Sequence, residues 1–424
     1  MQRNAFANML GIDSKVAVVN IILIANALIW YFYAFHFLWK IGIDPLNGFS
    51  VYEITIVFGF NFLGIATAAL LSPILMYRVK RRIQFVFYWM LAGVGLSFFL
   101  VGVDIATFSS LLIISVLFGA YFGLGMPTCL GYFAASTEAA NRSRLAGLAF
   151  LFVSLGFFLF ITIGIEDILF NAIILAILKS AGLLLLIFLK PDEKQINQGD
   201  RMSYSFVIKN RSFLLYFIPW LMFSIVNYAA VPIVDIIANS TFAPETVKLF
   251  PIIENVTAGI LAVIFGFCAD FVGRKRLVLA GFSLLGVGYG CLGLFQENIY
   301  SWWFYTITDG VAWAVFYTIF IMTLWGDLAH NKSSEKYYAI GSLPFLFSNF
   351  MRLSISEDLA KLIPGAAIFS FAGFFLFLAV LPLIYAPETL PEKKIKEREL
   401  KGYLEKAKKE AEKYAKRVSA LEAK

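Results

Sequence analysis

Charged side chains are scarce in this sequence of 424 residues, since only 15% are Asp, Glu, Lys or Arg. Hydrophobic residues make up 60% of the chain, and aromatic residues alone make up 17%. A soluble globular protein has about 25% charged residues, so the composition excludes that class and indicates a protein surrounded by lipid.

Cysteine, on which disulfides and many metal sites depend, is also rare. Cys129, Cys268 and Cys291 lie in apolar segments without disulfide or metal-ligand spacing, so we interpret them as small packing residues. The sequence contains no nucleotide-binding loop, metal-ligand cluster or catalytic triad, and we expect no enzyme activity, metal or cofactor. The net charge of +7 lies in short loops and the C-terminal tail, which argues against a nucleic-acid partner.

Long apolar runs are abundant, and a membrane-crossing helix needs about 20 mostly apolar residues. Twelve such runs lie near 16–38, 52–76, 84–104, 108–135, 145–164, 168–189, 213–236, 248–269, 277–295, 300–326, 337–355 and 364–386. The sequence therefore predicts an all-α membrane protein with twelve transmembrane helices, the first acting as an uncleaved signal anchor. We predict four regions: a six-helix bundle (1–190), a cytoplasmic linker (191–212), a second six-helix bundle (213–388) and a charged cytoplasmic helical tail (389–424).

The basic residues favour one orientation in the membrane. Lys and Arg concentrate in the connections between spans two and three (Lys80–Arg82), four and five (Arg142, Arg144) and eight and nine (Arg274–Arg276). The alternate connections are acidic or nearly neutral. By the positive-inside rule, we expect a multi-pass protein of the cell membrane with both termini in the cytoplasm.

The tail after Pro391 is rich in Lys and Glu and carries apolar residues at an alternating four–three spacing from Leu400 to Leu421. This spacing is a heptad seam, but two of its positions are alanine, so it favours a solvated helix over a strong coiled coil. We expect a monomer, with self-association through the tail as the alternative.

The connection after span eight carries the pattern from Gly266 to Arg276, GFCADFVGRKR. Gly266 permits close helix approach, and Gly273 permits a turn with positive φ. The basic trio Arg274–Arg276 suits anionic lipid headgroups, and Asp270 stands at a helix end where it can pair with a cation or a helix N-terminus.

This pattern resembles the G-x-x-x-D-x-x-G-R-[RK]-[RK] signature of the major facilitator superfamily. The resemblance implies the major facilitator fold, in which two six-helix bundles alternate access to a central site. It also implies that Asp270 latches the halves on the cytoplasmic side, with the start of span five, near Arg142 and Arg144, as its expected partner. The first-half copy keeps the basic residues but has Met76 in place of the acid.

Two weaker patterns are similar to the sugar-porter branch of that family. Glu138 followed by Arg142, Arg144 and Gly147 is similar to its E-x(n)-R-G-R-x-x-G pattern, with Ser143 in place of a glycine. Pro387-Glu388-Thr389 is similar to its terminal P-E-T. An internal echo also indicates duplication, because Arg142 precedes Gly147 by five residues, as Lys336 precedes Gly341.

Ionisable residues inside the spans are functional candidates, since each costs at least about 2.5–3.5 kcal/mol at mid-helix. Asp309 and Glu254 lie at similar depth in spans ten and eight, and we predict that they carry a coupling proton. A purely structural pairing of Asp309 remains an equal alternative. For Lys179, in span six, we expect snorkelling or a structural pair.

Neutral polar and aromatic side chains within the spans are the candidates for contact with a solute. They are Asn26, Trp30, Tyr33, Asn61, Thr128, Asn227, Tyr228, Trp313, Tyr317 and Asn349. Each also suits a hydrogen bond between packed helices, which is the more frequent role. Pro127, Pro219, Pro232 and Pro344 are expected to interrupt spans four, seven and eleven, and broken helices often mark binding segments in transporters.

The sequence thus predicts a transporter that moves a small solute by alternating access, coupled to a proton in a symport. One alternative is a facilitator that equilibrates its solute without an ion. Another, from a different class, is a membrane sensor that keeps the fold and signals through its tail. The substrate is not readable from the sequence.

Overall fold

The computed structural model of the chain describes residues 10–43, 48–102, 107–163, 168–191, 193, 201–330, 332–354, 362, 364–390, 400, 404 and 407. These residues form helices and their connections, and no strand occurs among them. The predicted all-α fold class is confirmed.

Six helices make up the first half, and six more make up the second. The first half contains α1 (Ser14–Ile43), α2 (Val51–Val79), α3 (Arg82–Phe99), α4 (Phe108–Ser136), α5 (Arg142–Ile163) and α6 (Ile168–Leu189). The second half contains α7 (Arg211–Thr241), α8 (Leu249–Val272), α9 (Arg274–Leu294), α10 (Ile299–Leu328), α11 (Glu335–Gly341 and Leu343–Ser354) and α12 (Gly365–Tyr385). Short helices at Tyr204–Lys209 and Pro244–Val247 precede α7 and α8.

Eleven of the described helices, all but α11, are long and apolar enough to cross a membrane. The predicted eleventh span, 337–355, is broken at Ser342, just before Pro344, because a proline removes an N–H and crowds the preceding turn. Residues 355–361 lie outside the described part of the chain. The predicted interruptions at Pro127, Pro219 and Pro232 are wrong, since α4 and α7 continue through these prolines.

Polar residues in the connections set several helix boundaries. Ser50 accepts from the Glu53 amide at 3.2 Å while the Glu53 carboxylate accepts from the Ser50 amide at 2.9 Å, a reciprocal cap that begins α2. Asn210 and Asn298 cap α7 and α10 by accepting amide hydrogen bonds in the same way. These caps fix the first residues of the helices, which the apolar runs alone place only to within a few residues.

The middle of α10 widens into a π-helical segment, Tyr317–Thr323. The hydroxyl of Thr323 donates to the carbonyl of Thr318 at 2.6 Å, and the Thr318 hydroxyl donates to that of Ala314 at 2.8 Å. Widened turns of this kind occur frequently at functional sites.

The two halves meet where α5 packs on α8, where α2 packs on α11 and where α5 packs on the middle of α10. Gly266 on α8 faces α5 so closely that a Cβ there would lie 2.5 Å from the Ser143 carbonyl oxygen. The predicted close approach at Gly266 is therefore present. The predicted tail helix lies mostly outside the described residues; Leu400, Leu404 and Ala407 are helical, and the two leucines are exposed.

Candidate functional site

The 2–3, 4–5 and 8–9 connections lie at one end of the bundle, which we call the basic end. A cavity of about 480 Å³, which we call the acidic cavity, opens at the opposite end. It is lined by α7, α8, α10 and the connection between α7 and α8, and Asn239 and Lys248 form part of its exposed rim. Its described lining belongs to the second half, whereas a site between both halves was predicted.

Three carboxylates line the acidic cavity: Asp235 on α7, Glu254 on α8 and Asp309 on α10. The one cationic side chain in the lining, Lys248, is 70% exposed and pairs with Glu245 at 3.6 Å. The predicted similar depth of Glu254 and Asp309 is present, because α8 and α10 pack with the Glu254 carbonyl against Gly310.

Asp309 is the most enclosed of these acids, at 4% exposure. Its Oδ2 accepts from the Tyr305 hydroxyl at 3.1 Å, and that hydroxyl lies 3.2 Å from the hydroxyl of Tyr289 on α9. Its Oδ1 is buried and has no hydrogen-bond partner among the described residues. Within the same part of the chain, no cation forms an ion pair with Asp309. One carboxylate oxygen of this lining residue thus remains without a hydrogen-bond partner among the described residues.

Aromatic rings form the floor of the cavity. Trp313 and Tyr317 line it, and Tyr317 stacks on Phe150 of α5 with ring centroids 4.1 Å apart. Phe345 of α11 packs against Trp313 and Tyr317 at 6.0 and 5.8 Å. Because these rings join α10 and α11 to the first half, they separate the acidic cavity from the basic end.

Among the predicted solute contacts, Tyr228, Trp313 and Tyr317 line the acidic cavity. The side chains of Asn227 and Asn349 lie outside what the structure describes.

The candidates in the first half lie outside the acidic cavity. Asn61 donates to the Ser115 carbonyl at 2.7 Å, and the hydroxyl of Thr128 lies 3.1 Å from that of Ser72. Both contacts join α2 to α4. In an apolar surrounding, such hydrogen bonds stabilise helix packing, and here they occupy the polar groups.

Asn26, Trp30 and Tyr33 are also buried within the first half rather than at the cavity. Trp30 donates to the Phe118 carbonyl at 3.3 Å, Asn26 donates to the Ile22 carbonyl at 3.0 Å, and Tyr33 stacks on Phe37. Their spacing did place them along one side of α1, but that side faces the interior of the six-helix half.

Lys179 occupies the centre of this interior and is fully buried. Its ammonium donates to the Asn26 carbonyl at 2.7 Å and lies 5.1, 4.4 and 5.0 Å from the ring centroids of Trp30, Trp89 and Tyr121. We call these three rings the aromatic cage. Of the two expectations for Lys179, snorkelling is wrong and structural pairing inside the bundle is present, because the Asn26 carbonyl and the ring faces of the cage hold the cation.

The basic end is closed by a group of ion pairs that we call the gate cluster: Arg142, Arg144, Asp270, Arg274 and Asp327. Arg144 donates to Asp270 at 3.1 Å, so the predicted contact between the latch acid and the start of span five is present. Gly273, at φ 102°, ends α8 and begins α9 as predicted.

Arg274 is fully buried, which corrects its predicted place among lipid headgroups. It lies 2.5 Å from Asp327 and 3.6 Å from Asp270, and it donates to the Ser143 hydroxyl at 3.1 Å. The guanidinium therefore joins α8, α9 and α10 to α5.

Arg142 also turns inward, donating to Asp327 and, at 2.7 Å, to the Ala134 carbonyl. Glu138, the acid of the sugar-porter-like pattern and a predicted member of the cytoplasmic gate, is exposed and contributes its carbonyl to the turn before α5. Asp327 is the acid that pairs with Arg142 instead, because the end of α10 contacts the start of α5 there. The hydroxyl of Thr389 adds a hydrogen bond to Asp327 at 3.3 Å.

Arg82 and Glu335 form a further ion pair between the halves, which the sequence did not reveal. Arg82 begins α3, and Glu335 begins α11. The signal was the echo between Arg142–Gly147 and Lys336–Gly341, which places the start of α11 in the position that the start of α5 has in the first half.

A repeated capping device supports this duplication. Glu193, after α6, accepts from the amides of Arg82 and Ile83, both at 2.9 Å. Glu388, after α12, accepts from the amides of Arg274 and Lys275 at 3.0 and 3.3 Å. In each half, an acid after the sixth helix caps the third, where a negative charge is favoured.

No family model and no curated protein matches the sequence, but solved structures match the fold. The proton:xylose symporter XylE, bound to 6-bromo-6-deoxy-D-glucose, aligns with a TM-score of 0.63 and 16% identity over 88% of this chain and 95% of that one. The human organic anion transporter MFSD10 (TETRAN) aligns with a TM-score of 0.61 and 16% identity over 87% and 99%. The chain therefore has the major facilitator fold, as its loop signature predicted.

Proposed function

We propose that this chain is a secondary active transporter that moves a small solute across the cell membrane by alternating access. The observation that carries the proposal is the contrast between the two ends of the bundle. The acidic cavity is open at one end, while the gate cluster and the Arg82–Glu335 pair close the other. This is the arrangement expected of one state in an alternating cycle.

The gate cluster would have to separate for the solute to leave at the basic end. Its contacts between the halves join Arg142 to Asp327 and Arg144 to Asp270. Since these pairs are charged and enclosed, they favour the closed basic end strongly, and the cycle requires that occupancy of the cavity offsets their loss.

Asp309 and Glu254 are the proposed proton carriers. Both line the acidic cavity, and Oδ1 of Asp309 has no hydrogen-bond partner among the described residues. The neighbour XylE is a proton symporter by name, which agrees with proton coupling of some form. Uncoupled facilitation is the alternative. Substitution of either acid distinguishes it from proton coupling, because only a coupled transporter should lose accumulation.

The orientation proposed from the basic loops places both termini and the gate cluster in the cytoplasm. Lys275 and Arg276 then remain for anionic lipid headgroups, since Arg274 is enclosed in the gate cluster. Cysteine labelling in intact cells tests this orientation, because a probe in the tail should be protected and one at the exposed Asn239 should react. The opposite pattern would reverse the proposed topology.

Reconstitution into liposomes tests transport and coupling together. We expect wild-type protein to accumulate one solute from a panel of a sugar, an organic anion and an organic cation when a pH gradient is imposed. Asp309→Asn and Glu254→Gln should still exchange that solute but no longer concentrate it. Glu297→Gln, which neutralises an exposed acid outside the cavity lining, is the matched control and should behave as wild type.

Normal accumulation by both cavity variants would show that neither acid carries the proton. Absence of any exchange by folded wild-type protein with every solute of the panel would contradict the transporter itself.

A further inference from the structure

We infer that the acidic cavity binds an organic cation with an apolar or aromatic body. The inference deepens the proposed function by naming the chemical class of its solute. It stands on four features of the cavity: its charge, the unpaired oxygen of Asp309, the aromatic lining and the state of its amide groups.

The charge of the lining is negative. Asp235, Glu254 and Asp309 face the cavity, and Lys248 at the exposed rim pairs with Glu245. A low-dielectric wall concentrates such a field and raises the local concentration of cations. The same field disfavours an anion, for which the described lining offers no enclosed cationic partner.

Asp309 identifies where the cation would sit. Asp309 is 4% exposed, yet its Oδ1 has no partner among the described residues. A buried charge without a counter-charge is costly, and a cationic ligand at Oδ1 would supply the missing partner.

Aromatic rings surround the space in front of Asp309. Trp302, Tyr305, Trp313, Tyr317, Tyr228 and Phe250 all contribute to the lining. Ring faces attract ammonium and related cations while contacting their apolar parts. The aromatic cage around Lys179 shows this chemistry within the same molecule, with three rings at 4.4–5.1 Å from an ammonium.

The amide groups of the lining argue against a neutral, hydroxyl-rich solute. The Asn239 amide donates to the Asp235 carbonyl at 2.8 Å, and the Asn255 amide donates to the Pro251 carbonyl at 2.7 Å. In each amide, one of the two N–H donors is thus engaged with its own helix. A sugar depends on several such donors for orientation, whereas a cation requires none.

Binding of a cation at Asp309 has a consequence for coupling. The same carboxylate cannot hold a proton and form an ion pair at once, so the two ligands compete and coupling takes the form of exchange rather than the symport expected from the sequence. Tyr305 on the same helix bonds to Asp309 and is linked to Tyr289 on α9. The other titratable groups that line the same cavity are Tyr317, Glu254, Asp235, Tyr228 and Lys248 at the rim. Lowering the pH therefore weakens cation binding.

Equilibrium binding to the purified full-length protein tests the inference without requiring transport. The probe is radiolabelled methylphenylpyridinium, and its uncharged analogue phenylpyridine is the matched neutral ligand. We expect saturable binding of the cation that weakens as the pH falls, and at least tenfold weaker binding of phenylpyridine. Asp309→Asn should lower the affinity for the cation about tenfold or more.

Asp309→Glu, which keeps the charge, should retain measurable binding, and Glu297→Gln should bind as wild type does. Equal affinity for the cation and phenylpyridine, or an unchanged affinity in Asp309→Asn, would overturn the inference. The inference would also be overturned if the cation did not bind but D-xylose or p-aminohippurate bound saturably.

Failure of the inference is distinguishable from failure of the proposed function. If a sugar or an anion is accumulated in liposomes while the cation does not bind, the chain is a transporter of another class of solute. If the cation binds as expected but is never exchanged, the cavity assignment stands and the transport proposal fails.

Discussion

The two six-helix halves bury ionisable side chains of opposite sign. Among the described residues, the buried Asp, Glu, Lys and Arg side chains of the first half are all cationic: Arg82, Arg142 and Lys179. Those of the second half are mainly acidic, with Arg274 as the exception: Asp270, Asp309, Asp327 and Glu335. The difference in sign accounts for both regions on which the proposed function rests.

Where the halves touch at the basic end, their charges meet as Arg82–Glu335, Arg142–Asp327 and Arg144–Asp270. Farther along the bundle the charges do not meet. Lys179 is held by the aromatic cage of its own half, while Asp309 faces a cavity. The buried cation of the first half therefore has its partners within the protein, whereas the second half retains an acid that a ligand can neutralise.

The largest effect is expected from Asp327→Ala. Asp327 contacts two buried guanidinium groups, those of Arg142 and Arg274. Removing one partner of a buried ion pair typically costs about 3–5 kcal/mol, because the remaining charge is left uncompensated. We expect a strongly lowered unfolding temperature and increased reagent access to the basic end.

Glu138→Ala is the matched control for Asp327→Ala. Glu138 is exposed on the adjacent turn, so its removal should change the free energy of unfolding by less than about 0.5 kcal/mol. If Asp327→Ala unfolds at the wild-type temperature, the gate cluster does not hold the halves together.

The next effect concerns the aromatic cage. Lys179→Glu should destabilise the first half by about 3 kcal/mol or more, since a carboxylate would be buried against the negative faces of three rings. Lys179→Met keeps the length of the side chain and loses mainly the cation–π attraction, about 2 kcal/mol when desolvated. Thermal unfolding in detergent measures both.

Measurements of solute binding and exchange by the Lys179 variants show whether Lys179 has a structural or a functional role. Lys179→Met should bind and exchange solute as wild type does once folded. If it is folded but binds no solute, Lys179 belongs to the functional site and the contrast between the halves fails.

The sequence predicted the fold and the loop around Asp270 well because both depend on local patterns. Apolar run length determines the spans, and Gly266, Asp270 and Gly273 act through the helix end on which they stand. The contact of Asp270 with the start of span five, near Arg142 and Arg144, was implied by the resemblance of the loop to the major facilitator signature. These features require no knowledge of side-chain direction.

The sequence predicted the remaining parts less well because they depend on how helices rotate and pack. Asp327 and Glu335 lie in a polar segment after an apolar run, which looks like an ordinary loop. Trp30 and Lys179 have suitable residue types for a solute site, but both point into the first half. Hydrophobicity cannot distinguish a cavity from a packed interior when both are lined by aromatic rings.

A double-mutant cycle sharpens the contrast at the gate cluster. Asp270→Asn and Arg144→Gln should show a coupling energy of about 1–2 kcal/mol in unfolding, because the two side chains are in contact at 3.1 Å. The cycle with Arg142→Gln should give a smaller value, since Arg142 pairs with Asp327. Asp270→Asn should also shift the protein toward states with an open basic end.

Spin-label distances across the basic end would measure that shift. Equal coupling of Asp270 to both arginines would indicate a delocalised charge network in place of the specific pairs that the structure shows.

The smallest expected effect has the opposite sign. Asp309→Asn should stabilise the unliganded protein by about 1 kcal/mol, because it removes a buried charge whose Oδ1 has no partner among the described residues. The amide oxygen of asparagine can still accept from the Tyr305 hydroxyl, which donates to Asp309 in the wild type at 3.1 Å. Residues retained for function at the expense of stability commonly behave in this way.

Added cation should reverse the order of the two proteins. A ligand that binds only the folded state stabilises it by about 2.7 kcal/mol at a concentration 100 times its Kd. Saturating methylphenylpyridinium should therefore raise the unfolding temperature of wild type above that of Asp309→Asn, whereas Lys179→Met should gain as much as wild type. If Asp309→Asn instead unfolds below wild type without ligand, Asp309 is a structural residue. The two halves would then differ only in the sign of the charge they enclose.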